Sequence, residues 1–311
     1  MSGPSIERPE IDGYRIEAHV RTGGMGSVYR GRDESGAAVA LKVLHDDRAA
    51  GWSRFEREVR ILASLDHPHI VRYLDHGLTV NGRPFLAMAW LEGGTLRDAL
   101  AEATLGVRST VALARQILAA LCYLGARDCV HRDIKPSNIL WADPMRSTTV
   151  LADFGIALST HATLRLTEEG RVIGTWQYMA PEQMDATRSV DGRTDLYALG
   201  GVLFSCLTGR PPHVAQVAGS VPGRLLWEHA PRVSSLVEGV PSSLDELIEA
   251  MMAKQPRRRP SLEDARAALE AVADDASDAP LVAHPELSVG HRIVDLLGAT
   301  PSSQTAAARP T

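Results

Sequence analysis

The stretch His131-Arg132-Asp133-Ile134-Lys135-Pro136-Ser137-Asn138, followed downstream by Asp153-Phe154-Gly155, decides how the rest of the chain is read. Three oxygen-bearing side chains, Asp133, Asn138 and Asp153, converge there with Lys135. Asn138 and Asp153 are hard oxygen donors suited to Mg²⁺, a cation that keeps waters and is shared with substrate phosphates. Asp133 offers a carboxylate that orients a hydroxyl, and Lys135 sets a cation two residues away. Phosphoryl transfer asks for this kind of alignment and charge neutralisation rather than for covalent chemistry from the protein.

Upstream, Val39-Ala40-Leu41-Lys42 reads as an apolar strand carrying one lysine, which is costly to bury unless its ammonium meets negative partners. Before it lies Val20-Arg21-Thr22-Gly23-Gly24-Met25-Gly26-Ser27-Val28, a glycine-rich turn whose backbone can approach phosphates closely. From Tyr14 to about Leu91 short apolar runs with turn punctuation read as strands, among them Phe85 to Trp90. One helical stretch interrupts them, Trp52 to Leu65, with Phe55, Val59, Leu62 and Leu65 on a single face. After Gly93-Gly94 the texture changes to long amphipathic helices over Thr110–Leu124, Thr194–Leu207 and Leu244–Met252. Gly209 to Pro241 shows no clear period and is expected to form irregular connections.

Taken together, these motifs resemble the protein kinase family, in its bacterial eukaryotic-like (Hanks-type) serine/threonine branch. The resemblance implies an α+β, bilobal kinase fold: a small β-rich N-lobe with one main helix, about 12–90, and a larger, mostly helical C-lobe, about 91–272. Residues 1–11 are expected to be a flexible N-terminus, and 273–311 a low-complexity tail. It further implies ATP as cofactor with Mg²⁺, or alternatively Mn²⁺, and transfer of the γ-phosphoryl group to protein Ser and Thr.

Residue roles carry over by the same resemblance. Asp133 is the hydroxyl-orienting base, Lys135 the cation beside the transferred group, and Lys42 the phosphate partner paired with Glu58. Thr175 would contact Asp133 and Lys135. Val20, Gly23, Gly24, Gly26, Val28, Ala40, Lys42, Met88 and Leu140 would enclose the nucleotide, with Ala89 to Leu91 as hinge backbone. Asn138 and Asp153 would hold the metal. Arg21 departs from the pattern by standing where the opening glycine of the loop is expected. Leu62, Leu74, His131 and Phe154 would form a packed column joining the lobes. Ala180-Pro181-Glu182 resembles the anchor of the substrate platform, with Arg259 as partner of Glu182, and Asp195 would brace the catalytic loop.

Thr160, Thr163 and Thr167 are candidate phosphorylation sites, because a new dianion could pair with Arg132. Thr167 is the first choice, lying seven residues before Gly174. Two other readings stand beside the kinase: a nucleotide-binding pseudokinase scaffold, in which Arg21 hinders closure, and a small-molecule phosphotransferase. Gly174-Thr175, Ala180-Pro181-Glu182 and Arg259 argue against the latter, since they describe a shelf for a protein substrate.

Composition bounds the remaining classes. The chain has 311 residues, 44% of them hydrophobic, enough for a substantial core. A net charge of -5 gives no pervasive basic surface of the sort a nucleic-acid binder needs. Cys122, Cys129 and Cys206 lack CxxC spacing, which favours a reducing compartment. Without an apolar leader or an uninterrupted apolar stretch of membrane-spanning length, a cytoplasmic protein with no membrane span is expected. In the tail, Val289, Ile293, Leu296 and Leu297 fall at helical spacing, which makes a short helix over 288–298 a candidate docking element, through residues 289–297, for a partner or for the chain's own surface, with plain disorder as the alternative reading.

Overall fold

The computed structural model describes residues 8–23, 26–45, 55–56, 59–154, 165–166, 172–173, 176–184, 190–213, 228–273 and 281–283. The small lobe is built on a five-stranded antiparallel sheet of β1 (Tyr14–Thr22), β2 (Gly26–Asp33), β3 (Ala38–Leu44), β4 (Tyr73–Leu78) and β5 (Pro84–Ala89), in the order β1-β2-β3-β5-β4. Successive side chains on a strand face opposite ways, and this period sorts the sheet into two functional faces. Tyr29, Val39, Leu41, Val43, Phe85 and Ala87 pack with Ile11 into one cluster. The opposite face carries Val28, Lys42, Ala40 and Met88, because directly paired residues share a face and the register pairs Val28 with Lys42 and Ala40 with Met88. The β3 lysine is thereby turned toward the cleft.

A helical segment described at 55–56 and 59–63 packs behind this face, burying Phe55, Val59 and Leu62 as its spacing predicts. These residues belong to the core that continues into the large lobe.

That lobe is organised around the Gly192–Thr208 helix, whose residues from Thr194 to Leu207 are all buried. Its limits are chemically marked. The Asp191 side chain accepts from the Arg193 N–H at 2.9 Å, and Gly209 ends the helix at φ 73°, a left-handed conformation that costs glycine little. The Val107–Gly125, Ser242–Met251 and Leu262–Ala273 helices surround it. Ser261 and Asp264 cap the last of these reciprocally, each side chain accepting from the other's backbone N–H. Among the described residues Val107–Gly125 is the one helix long and apolar enough to cross a bilayer, and its apolar face is spent on the core.

The lobes are joined twice by backbone. At the first junction Ala89 N–H donates to the Arg72 carbonyl in the small lobe, while Glu92 and Gly93 N–H donate to Ala142 and Trp141 carbonyls in the large one. At the second, Val71 N–H donates to Leu151 O and Leu151 N–H to His69 O, both at 2.9 Å. Gly93 is where the first junction needs an absent side chain: a Cβ there would lie 2.3 Å from Asp143 O and 2.5 Å from Trp141 Cβ. Both neighbours are held by the Ile139–Trp141 and Thr149–Leu151 hairpin, so they have little freedom to yield. Gly93→Ala should therefore cost about 1–3 kcal/mol, read as a lowered denaturation midpoint at unchanged slope.

Within the stretch read as tail, Val282–Ala283 forms a strand paired antiparallel with Val237–Glu238, and Leu281 packs against the large-lobe core. Composition alone held no strand there, because two apolar residues in an Ala, Ser and Pro context carry no period. Residues 288–298 lie outside the described residues.

Candidate active site in the cleft

The loop from His131 to Asn138 is fixed from below by Asp195, whose two carboxylate oxygens accept the backbone N–H groups of His131 and Arg132, each at 2.7 Å. The Gly192–Thr208 helix supplies this buried carboxylate. Arg132 adopts φ 67°, an unfavourable conformation for a non-glycine residue, and Asp195 ties the two successive N–H groups that lead into it.

His131 is buried beneath Phe154, ring centroids 4.6 Å apart. Its Nδ1 accepts from Asp133 N–H at 3.3 Å and its Nε2 faces Ala152 O at 3.1 Å. A neutral ring protonated on Nε2 satisfies both bonds, and burial pushes its pKa down to about 4. His213, buried beside Tyr197 and Lys254, is likewise pushed down to about 4 by burial. An unfolded chain would take up protons at both histidines as pH falls from about 6.5 toward 4, so acidification across that window removes stability. Asp195 opposes the trend, since burial pushes its carboxyl up to about 7 against the two N–H bonds that favour its anion. Two histidines against one carboxyl leave a net loss. Thermal unfolding midpoints should fall between pH 6.5 and 4, and His131→Phe should flatten that slope while lowering stability at neutral pH.

Asp133 sits at the cleft with its carboxylate partly exposed. Lys135 Nζ donates to Asp133 Oδ2 at 2.9 Å, and Asn138 Nδ2 donates to the same oxygen at 2.9 Å and to Asp133 O at 2.8 Å. With Nδ2 so committed, the other polar atom of Asn138 is Oδ1, an acceptor that takes the Ser137 hydroxyl at 3.3 Å. Across the cleft, Asp153 also takes a left-handed backbone, φ 58°. Its Oδ1 accepts from Lys42 Nζ at 2.8 Å and its Oδ2 from Arg21 Nη2 at 2.6 Å. Burial works to raise this carboxyl, but Lys42 and then Arg21 outweigh it and hold the pKa below the usual range. A carboxylate and an amide oxygen are the hard donors a divalent cation prefers, so the residues fit a Mg²⁺ or Mn²⁺ ion.

Above the loop, Val28, Ala40 and Leu140 are half-buried, while Met88 is buried at the back. Gly23 N–H donates to Gly26 O at 2.8 Å to close the hairpin, and Val20 is exposed beside it. Gly26 could not be another residue, since a Cβ would lie 2.4 Å from Val43 O. Gly24, Glu58, Thr160, Thr163, Thr167 and Thr175 lie outside the described residues.

One expectation is corrected. The β4 contribution to the column between the lobes is Tyr73, which lines a small cavity with Leu62, Val71, Leu86, Met88, Asp153 and Phe154. Leu74 points to the opposite face and packs with the outer cluster of the sheet. A one-residue slip along a strand exchanges its faces.

Glu182 and Arg259, the residues expected to anchor a substrate platform, form an ion pair inside the large lobe. Arg259 donates to both oxygens of Glu182, at 2.6 and 2.8 Å, and to the carbonyls of Ala253 and Arg193. Both side chains are almost inaccessible, whereas Arg257 and Arg258 are exposed. Sequence reasoning missed Gln183: it accepts from Ala180 N–H and donates to Arg132 O at 2.8 Å, tying the segment around Glu182 to the loop from His131 to Asn138. Its signal was an amide directly after Glu182.

Comparison with known proteins follows the same outline. Residues 14–270 match the family described as protein kinase domain. The chain is 39% identical over 255 residues to serine/threonine-protein kinase PknJ of Mycobacterium tuberculosis, covering 79% of this chain and 43% of that protein. It is 37% identical over 270 residues to serine/threonine-protein kinase PknL of the same species, covering 84% of this chain and 66% of that protein. With serine/threonine-protein kinase PknD it shares 38% identity over 252 residues, covering 79% and 37%.

Proposed function

The chain belongs to the protein kinase domain family, and on that premise we propose that it transfers the γ-phosphoryl group of ATP to Ser and Thr hydroxyls of proteins. The observation that carries this reading is the pair of facing carboxylates, one prepared for a hydroxyl and the other for cations. Asp133 is held by Lys135 and Asn138 so that its free oxygen can accept the proton of an incoming hydroxyl. Lys135 balances the charge that grows as that proton is shared, and its ammonium lies where it can also neutralise an equatorial phosphoryl oxygen. Lys42 reaches the cleft from β3 and is the phosphate cation of the small lobe. Val28, Ala40, Met88 and Leu140 form the apolar slot for the base. Asp153 and Asn138 would hold a divalent cation, which would supply charge neutralisation on the phosphates.

The Glu182–Arg259 anchor and its Gln183 tie support a protein rather than a metabolite as acceptor, because they stabilise a segment that an extended peptide can lie along. Thr167 is the expected autophosphorylation position, Arg132 its partner, and residues 289–297 a docking element for a partner protein. A signalling role in the cytoplasm accords with this reading.

Purified protein supplied with γ-labelled ATP, Mg²⁺ and an unstructured protein acceptor tests it. Label should enter phosphoserine and phosphothreonine, and a phosphopeptide map should include Thr167. Absence of label in any protein, or label confined to phosphotyrosine or to a metabolite, would overturn the assignment.

A further inference from the structure

Arg21 occupies the last turn of β1, opposite Val28, at the position where the glycine-rich loop is expected to open with its first glycine. A glycine there could offer the cleft only its backbone. The arginine instead spans the cleft from the small lobe: Nη2 donates to Asp153 Oδ2 at 2.6 Å, and Nη1 lies 3.5 Å from the carbonyl of Ser137. The contact is lopsided in exposure. The Arg21 side chain is 40% exposed and that of Asp153 16%, so the guanidinium covers the solvent side of the carboxylate while Lys42 holds the inner side. Each oxygen of Asp153 therefore has its own cation, and the Ser137 carbonyl, in the peptide that precedes Asn138, is drawn into the same contact.

Resting on the kinase reading, we propose that Arg21 competes with the divalent cation for Asp153 and so sets the metal concentration at which nucleotide is seated. A carboxylate oxygen has lone pairs to spare, but a dication bound beside a guanidinium on the same oxygen meets like charge at short range, where water screens poorly. Arg21 must then swing out before Asp153 becomes a metal ligand. Its exposure permits this, since the side chain is long and only its tip is engaged. Lys42 behaves differently: its ammonium is enclosed, approaches the other oxygen, and is needed on the phosphates themselves. The arrangement makes the enzyme more demanding of metal than one with glycine at this position.

The test is a Mn²⁺ titration of the whole chain at fixed, saturating non-hydrolysable ATP analogue, with free Mn²⁺ followed by electron paramagnetic resonance. Wild type is compared with Arg21→Gly, Arg21→Gln and Arg21→Lys. Expected are Mn²⁺ midpoints several-fold lower in Arg21→Gly and Arg21→Gln, and an intermediate value in Arg21→Lys, which keeps the charge but loses the fork. Arg21→Gln removes the charge but keeps a side chain and its Cβ, so agreement between it and Arg21→Gly removes loop flexibility as a cause. Equal midpoints overturn the proposal while leaving the kinase reading intact. Midpoints that rise in the neutral variants also overturn it, and would make Arg21 an aid to nucleotide binding. If wild type and all variants bind neither metal nor analogue, the kinase reading itself fails and takes the proposal with it.

Discussion

Asp133→Asn is expected to lower phosphoryl transfer by roughly 10²–10⁴-fold, the usual range for loss of a positioned general base, while nucleotide affinity changes little. Asparagine has the shape of aspartate, so packing around the loop is preserved. What is lost is the anion that accepts the hydroxyl proton and neutralises Lys135 at 2.9 Å. The Asp195 bonds to His131 and Arg132 N–H do not involve the Asp133 side chain, so the loop backbone should hold its form. Steady-state kinetics beside a binding titration with a fluorescent nucleotide separate the two effects. A variant that keeps more than a tenth of wild-type turnover would show that the hydroxyl is oriented by another group.

Arg259→Ala is expected to produce the largest loss of stability, on the order of 3–5 kcal/mol, because removing one member of a buried ion pair strands the other charge. Glu182 is buried and accepts from Thr194 Oγ1 and from the Arg259 guanidinium. The same substitution leaves the Ala253 and Arg193 carbonyls without the arginine that bonds them. Adding Glu182→Gln to the variant should restore part of the loss, since a neutral amide tolerates burial better than a lone carboxylate. The pair also has a pH signature. Burial acts to raise the Glu182 carboxyl, yet bonding to Arg259 prevails and holds it low. Its stabilisation is thus fully present above the ordinary carboxylate range near 4.5 and disappears as pH falls through the lower, folded value. Chemical denaturation of wild type, single and double variants at neutral and acidic pH measures each of these terms.

The parts of the site that could be read from sequence are those where side-chain chemistry and local register coincide. Lys42 stands out as the one charge in an apolar strand, and the alternation that buries Val39, Leu41 and Val43 turns it to the cleft without further information. Asp133, Asn138 and Asp153 form a compact pattern of oxygen donors whose spacing survives folding. Arg259 and Glu182 were legible as a guanidinium and carboxylate attached to separate motifs, although only coordinates show that neighbouring Arg257 and Arg258 stay in solvent. Tyr73 was not legible, because β4 is half-exposed on both faces and its burial follows no clean alternation that could distinguish Tyr73 from Leu74. Arg21 read as the loss of a glycine, since the reach of an arginine across a cleft depends on the distance between lobes, which no local pattern encodes. The Val282–Ala283 strand depends likewise on a partner that precedes it by a long stretch of chain.

The two backbone junctions between the lobes constrain how the cleft can breathe. Between the last bond on the small-lobe side, at Ala89, and the first on the large-lobe side, at Glu92, only Trp90 and Leu91 are left to change their dihedral angles. Because Val71 and His69 are clamped to Leu151 as well, a single pivot is not available. The lobes are mounted like a door on a pair of pins, free to swing about the line joining them but poorly able to twist or slide. Ligands that push the cleft wider should accordingly place their strain on two peptide units of the connecting strand, and inhibitors that stiffen those units would jam the swing without touching a catalytic group.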